Sequence, residues 1–168
     1  EELVSYEPHS ELDDANNIIN NAMLHPVLTE MVQNKIESEV KLEWQHKDVN
    51  FKGFADLLTT FNGRKCIVDI KTTNDAGKRF ERDLYYNDYK MQLAMYQDQY
   101  DKDTDAYIVA IETTTPFNVQ VYKLDDSLLF KGWMDYDYYT DKFKEWNGEP
   151  QGYSSDVVEV KTQTEEIV

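Results

Sequence analysis

Cysteine is almost absent. The 168 residues hold one, Cys66, which excludes an internal disulfide framework, a CxxC zinc site and a cysteine-ligated iron–sulfur cluster. It sits in an apolar run, where a lone cysteine is more often a small buried hydrophobe than a nucleophile. Histidine is scarce: His9, His25 and His46 are the only three, and none has a catalytic-looking context. No apolar stretch approaches the ~18–20 residues that span a bilayer. The opening Glu1-Glu2-Leu3-Val4 has neither the charge nor the apolar region of a signal peptide, so a reduced, cytoplasmic setting is expected. A chain that starts on Glu rather than Met reads as a fragment, with its N-terminus trimmed. Positive charge is also short: 17 Lys and Arg face 33 Asp and Glu, a formal net charge of −16 with pI near 4.4. Taken whole, that argues against a nucleic-acid binder, which usually carries a basic face for the phosphates.

What is present is enough for a core. Hydrophobic residues make up 40% and aromatics 13%, richer than a disordered acidic chain. The length suits one domain, expected over 1–150, with 151–168 as an acidic tail. The charge is unevenly spread. Residues 1–34 carry seven acids and no Lys or Arg, residues 35–90 carry eleven bases and ten acids, and residues 91–168 carry six bases and sixteen acids. The balanced middle third is where a site is expected. The flanks read as solvated, solubilising faces.

Residues 1–12 read as an irregular lead-in. The pattern predicts a short helix over 13–22 and another starting at Pro26, with Val27, Leu28, Met31, Val32 and Ile36 at helical spacing. From Ser38 the period becomes two, with Val40, Leu42 and Trp44 pointing one way. A turn at 46–50 leads to a strand over 51–61. Asn62-Gly63 is a hairpin signal, and a third strand follows over 64–71, giving an antiparallel meander. A long helix is expected over 80–100, with Phe80, Leu84, Leu93, Tyr96 and Tyr100 inward. Strands over 106–113 and 118–124 join around Pro116. A last helix over 127–146 would turn Leu128, Leu129, Trp133, Tyr136, Tyr139 and Phe143 to one face, although Gly132 lies inside it. The expected class is α/β (α+β), a mixed sheet flanked by helices.

Three features in the middle third carry chemistry. Asp56 ends Gly53-Phe54-Ala55-Asp56, Asp69-Ile70-Lys71 ends the third strand, and Gln92 and Tyr96 lie four apart on the long helix. On a strand, Asp69 and Lys71 share a face, with Cys66, Val68 and Ile70 on the other as expected core. A hairpin centred on Asn62-Gly63 brings Asp56 opposite Asp69, about 4.5–5.5 Å away. Facing carboxylates destabilise a sheet unless something sits between them, and a hard divalent cation suits two carboxylates plus water and phosphate. Glu39 or Glu43 could add a third acid; both have the same side-chain parity. Two acids, a lysine and a cation fit metal-assisted phosphodiester hydrolysis, in which the cation activates a water and Lys71 orients it or stabilises developing charge. The competing reading of Asp69 and Lys71 is a solvated charge pair at a strand end.

These residues together resemble the PD-(D/E)xK nuclease superfamily, and more narrowly its phage-type RecE (exodeoxyribonuclease VIII) and lambda exonuclease branch. The resemblance runs over about residues 36–146. It rests on Glu39, on Phe51-Lys52-Gly53-Phe54-Ala55-Asp56-Leu57-Leu58, on Val68-Asp69-Ile70-Lys71-Thr72-Thr73, on Phe80, on Gln92-x-x-x-Tyr96 and on the 108–112 strand. It implies a restriction-endonuclease-like core, with Asp56, Asp69 and Lys71 as catalytic residues. Glu39, Asp56, Asp69 and the Ile70 carbonyl would hold Mg²⁺ or Mn²⁺, and Glu39 is favoured over Glu43 by the spacing to Trp44. Lys52, Gln92 and Tyr96 would contact DNA. The implied activity is 5′→3′ exonuclease action on double-stranded DNA ends in recombination, in a bacterial or phage-infected cell. A single-strand annealing protein and a ring-shaped homo-oligomer are the implied partners, with no membrane. Some relatives use a histidine on an N-terminal helix; His25, the one candidate here, reads instead as the start of the Pro26 helix. Two other functions compete: a non-catalytic nucleic-acid-binding or assembly module of the same fold, and an acidic protein-interaction domain.

Overall fold

The computed structural model describes residues 11–146 and 148. Of the lead-in expected over 1–12, Glu11 and Leu12 instead open a helix and the rest lies outside the described residues, as does the whole tail expected over 151–168. The order is α1 (Glu11–Leu24), α2 (Pro26–Gln33), β1 (Glu37–His46), β2 (Val49–Phe61), β3 (Arg64–Thr73), α3 (Lys78–Tyr86), α4 (Tyr89–Tyr100), β4 (Asp105–Glu112), β5 (Val119–Leu124) and α5 (Asp126–Glu145). The five strands form one sheet in the order β1-β2-β3-β4-β5. Only β3 and β4 run parallel; the other neighbours are antiparallel. The mixed sheet flanked by helices is as the sequence predicts.

Helices cover both faces. Phe80 and Leu84 of α3, Leu93, Ala94 and Tyr96 of α4, and Leu129 of α5 pack on Val40, Ala55, Leu58, Ile67, Ile108 and Ala110. Ala22 of α1 and Leu28 and Met31 of α2 pack on Leu57, Cys66, Val68, Tyr107 and Val109 of the other face. Residues 106–112 of β4 are accordingly buried throughout, as expected for a strand covered on both sides. The parallel β3–β4 pair requires a crossover, which α3 and α4 provide.

The expected single helix over 80–100 is two. The chain leaves helical geometry at Asn87, whose ψ is 157°, and α4 starts after Asp88. Asn and Asp compete for backbone bonds and favour such breaks. Likewise α2 ends at Gln33, before Ile36, which is exposed. The buried stripe of α5 runs through Leu129, Gly132, Tyr136 and Thr140. Tyr139 and Phe143, expected inward, are 55% and 57% exposed because they lie one position beside that stripe. Gly132 marks where α5 presses on α4: a Cβ there would lie 2.6 Å from the Lys90 carbonyl carbon and 2.9 Å from Met91 N.

One irregularity positions the site. The β1–β2 pairs Ser38–Leu57 and Val40–Ala55 keep one register, yet Glu39 and Asp56 between them are unpaired, and Glu39 has φ 53°. Ala55 and Leu58 lie in one core and Leu57 in the other, so β2 changes face at Asp56. The β2–β3 ladder runs from Phe61–Arg64 to Leu57–Val68 and stops there.

Candidate active site

The site forms where β2 and β3 part. With the ladder ended, the Ile70 amide donates to Asp56 Oδ2 at 2.6 Å. The carboxylate thus replaces a backbone carbonyl as the acceptor, and Asp56 is bound to the strand that carries Asp69 and Lys71. The register found in the hairpin is the one centred on Asn62-Gly63, with Asp56 and Asp69 the next positions beyond its last pair.

Asp69 is 2% exposed. Its Oδ1 accepts from Gln92 Nε2 at 3.0 Å. Its Oδ2 lies 2.7 Å from Lys71 Nζ but has no aligned hydrogen-bond donor. Burial pushes the Asp69 pKa above the usual carboxylate range; Lys71 opposes the shift, and the nearby Asp56 charge adds to it. Lys71 Nζ also donates to Gln92 Oε1 at 3.1 Å and lies 5.2 Å from the centre of the Tyr89 ring, a distance at which a cation is drawn to the ring face. Gln92 Nε2 reaches the Tyr96 hydroxyl at 3.2 Å. One glutamine amide therefore holds both members of the Asp69–Lys71 pair. Tyr89, Gln92 and Tyr96 occupy i, i+3 and i+7 of α4, one face of the helix.

Tyr96 is held in turn by Gly53. A Cβ at Gly53 would meet Tyr96 Cε1 at 2.5 Å and its hydroxyl at 2.8 Å. The Gly-Phe-Ala-Asp wording thus reflects a close approach of β2 to α4 as well as the placement of Asp56.

The structure brings Asp56, Asp69, Ile70, Lys71, Gln92 and Tyr96 together. Glu39 is exposed at the kink, and Glu43 pairs with Lys41 at 2.6 Å. Among the described residues no three His, Cys, Asp or Glu side chains gather as a metal-holding group. Lys52 alternates with Gly53 and so lies on the sheet face away from Gln92; it is exposed and stands over the ring of Phe54. Ile70, expected in the core, is 39% exposed; its end of β3 reaches past the cover of α1 and α2. His25 caps α2, its Nδ1 accepting from Leu28 N at 3.4 Å, as expected of a helix start. Two residues were not singled out by sequence. Tyr89 was findable, three positions before Gln92. Glu112 was not: it is buried and accepts from Ala76 N at 2.9 Å and Asn118 N at 3.0 Å, which joins the loop after β3 to the β4–β5 turn.

A kinked strand carrying one aspartate beside a buried Asp-x-Lys, at the end of a mixed sheet, defines a PDDEXK-like domain. The chain matches, over residues 5–161, the family described as a PDDEXK-like domain of unknown function (DUF3799), and it belongs to that family. No curated protein matches it. Among solved structures it is similar to a "putative exonuclease" from Eubacterium rectale, with TM-score 0.65 and 16% identity over 85% of this chain. That likeness establishes the shared fold. The chain spans 56% of that protein's length. A second structure, SSO0001, aligns with TM-score 0.36 and 22% identity over 61% of this chain and 50% of that one, too weakly to bear on the fold. No helix among the described residues is long and apolar enough to cross a membrane.

Proposed function

We propose that the protein is a metal-dependent nuclease that hydrolyses DNA phosphodiester bonds. The observation that carries this reading is Asp69: a buried carboxylate beside a second carboxylate, with the Lys71 ammonium 2.7 Å from its Oδ2 and a pKa that burial still holds above the ordinary range. Burying such a group costs stability unless something compensates. Asp56 and Asp69, with the Ile70 carbonyl, fit a hard divalent cation, Mg²⁺ or Mn²⁺, held by carboxylates and water. Such an ion, when bound, lowers the pKa of a coordinated water and neutralises charge on the phosphoryl oxygens. Lys71, steered by Asp69, Gln92 and Tyr89, orients the attacking water or meets the charge developing on the phosphate. Gln92 keeps the ammonium and carboxylate in fixed relation, and Tyr96 keeps Gln92 in place.

The finer reading follows the RecE and lambda exonuclease resemblance: 5′→3′ digestion from double-stranded ends in recombination, with a single-strand annealing partner and a ring-shaped oligomer. In that reading Glu39 supplies the third acid, and Lys52 touches DNA outside the Gln92 face. The name of the Eubacterium rectale neighbour supports exonuclease over endonuclease action. The test is digestion of end-labelled linear duplex and of a covalently closed circle with Mg²⁺. Release of nucleotides from the linear substrate alone supports the exonuclease reading. Cutting of the circle contradicts it, and no cutting of either contradicts the nuclease reading.

A further inference from the structure

The outer face of α3 has no role in the site described above, and its composition is unusual for this chain. Acids outnumber bases nearly two to one, so each cation has carboxylates to choose from. Among the described residues most lysines and arginines do reach one, including Lys41, Lys47, Arg64, Lys71, Lys90 and Lys123. Lys78, Arg79 and Arg82 have no ion pair among the described residues, and all three are exposed. They also occupy the first half of α3, the end where the helix dipole disfavours cations. Local stability does not explain them.

At 3.6 residues per turn, Lys78, Arg79, Arg82, Tyr85 and Tyr86 fall within an arc of about 120°. Phe80 and Leu84 point the opposite way into the core. The outward arc therefore holds only cations and tyrosines; Tyr85 is 59% exposed and Tyr86 79%. Two further observations tie this face to the site. Arg79 lines a polar hollow of about 320 Å³ with Thr72, Thr73 and Asn74, the residues that directly follow Lys71, and with Thr113 and the carboxylates of Asp75 and Asp83, so Arg79 is the one cation in it. Phe80 stacks on Tyr89 at 5.8 Å, and Tyr89 is the ring beneath Lys71.

We infer that the outer face of α3 is a track for single-stranded DNA leading to or from the Asp69–Lys71 site. The cations of Lys78, Arg79 and Arg82 meet successive phosphates, and Tyr86, with Tyr85 beside it, gives unpaired bases a stacking surface. Single strands are favoured over duplex because stacking on an exposed ring needs a base out of its pair, and aromatic rings beside a cationic groove are how single strands are held without sequence preference. This rests on the nuclease reading for its purpose, but not for its test.

The test is binding of a labelled oligothymidine about 12 nucleotides long in EDTA over a series of salt concentrations, with no cleavage needed. Wild type is expected to bind with an affinity that falls as salt rises. The triple variant Lys78→Gln/Arg79→Gln/Arg82→Gln should lower the log–log salt slope by about 2, from three contacts at about 0.7 each. Tyr86→Ala should weaken binding about tenfold at an unchanged slope. Both variants should melt no lower than wild type, because the changed side chains point outward. An unchanged slope in the triple variant, or no binding by wild type, overturns the track even if linear duplex is cleaved. Equal loss on a blunt duplex with Tyr86→Ala overturns the single-strand assignment. Binding as expected without any cleavage upholds the track and refutes the nuclease reading.

Discussion

Replacing Gly132 by Ala should destabilise the protein, although a helical glycine is ordinarily improved by that change. On an exposed helix face the substitution is worth about 1 kcal/mol of added stability. Gly132 is instead buried where α5 crosses α4. The new Cβ would stand 2.6 Å from the Lys90 carbonyl carbon and 2.9 Å from Met91 N, against an ordinary contact of 3.4–4 Å. Both obstacles are backbone, so no side-chain rotation relieves them and the helices must separate. A gap of about 0.5–1 Å forfeits a quarter to a half of each dispersion contact it opens. Overpacking of this kind costs about 1–3 kcal/mol. With the obstacles fixed, the upper figure applies; less about 1 kcal/mol of helix propensity, the net loss is about 2 kcal/mol. For a protein of this size that lowers Tm by about 4–8 °C. Because Lys90 and Met91 immediately precede Gln92, the same shift should weaken nuclease activity at temperatures where the variant is still folded. Thermal unfolding by circular dichroism reads the first effect. A Tm equal to or above wild type would refute the packing argument outright, since it would mean that propensity outweighs the clash.

Other perturbations test the site piece by piece. Gly53→Ala should displace the Tyr96 ring and deprive Gln92 of its hydroxyl partner, which a fall in activity larger than the fall in Tm would reveal. Gln92→Ala should lower kcat about 10²-fold, the usual effect of a misplacement of about 1 Å in a reacting group, with the protein still folded by circular dichroism. Glu112→Gln keeps the shape but leaves one acceptor for two backbone amides, so unfolding in urea should show a loss of about 1–3 kcal/mol. Asp69→Asn should raise Tm in EDTA at pH 7. The folded pKa of Asp69 lies above its ordinary 3.8, so the native state binds its proton more tightly and loses stability as pH rises through that window. The advantage of the Asn variant should accordingly vanish as pH falls below about 3.8, and an advantage that persists there would count against burial as its cause.

The sheet was legible because its strands have clear signals: alternation from Val40 to Trp44, the Asn62-Gly63 turn and the continuous apolar run before Glu112. The hairpin register followed from the turn alone. What sequence could not show was the kink at Glu39 and Asp56, because alternation carries no mark of a side chain that changes face. That kink makes Asp56 a ligand for the Ile70 amide rather than a rung of the ladder. The break at Asn87-Asp88 was hidden by helical spacing that continues on both sides of it. Gly132 reads in sequence as a weakness of the last helix, and in the structure it is the crossing point of two helices. Gln92 was singled out from sequence, but its double hold on Asp69 and Lys71 depends on a distance between α4 and β3 that spacing does not encode. The net charge of −16 conceals its distribution, since Lys78, Arg79 and Arg82, without an ion pair among the described residues, sit in the one balanced segment.

Lys71→Ala separates a hydrolytic Asp69–Lys71 centre from a buried charge pair. The measurement is phosphodiester hydrolysis of linear duplex DNA with Mg²⁺ or Mn²⁺ by wild type and Lys71→Ala, each verified as folded. Wild type should cleave in a metal-dependent manner abolished by EDTA, and the variant should lose at least about 10²-fold. Cleavage by Lys71→Ala at the wild-type rate, or no cleavage by folded wild type with either metal, would leave Asp69 and Lys71 as a buried charge pair.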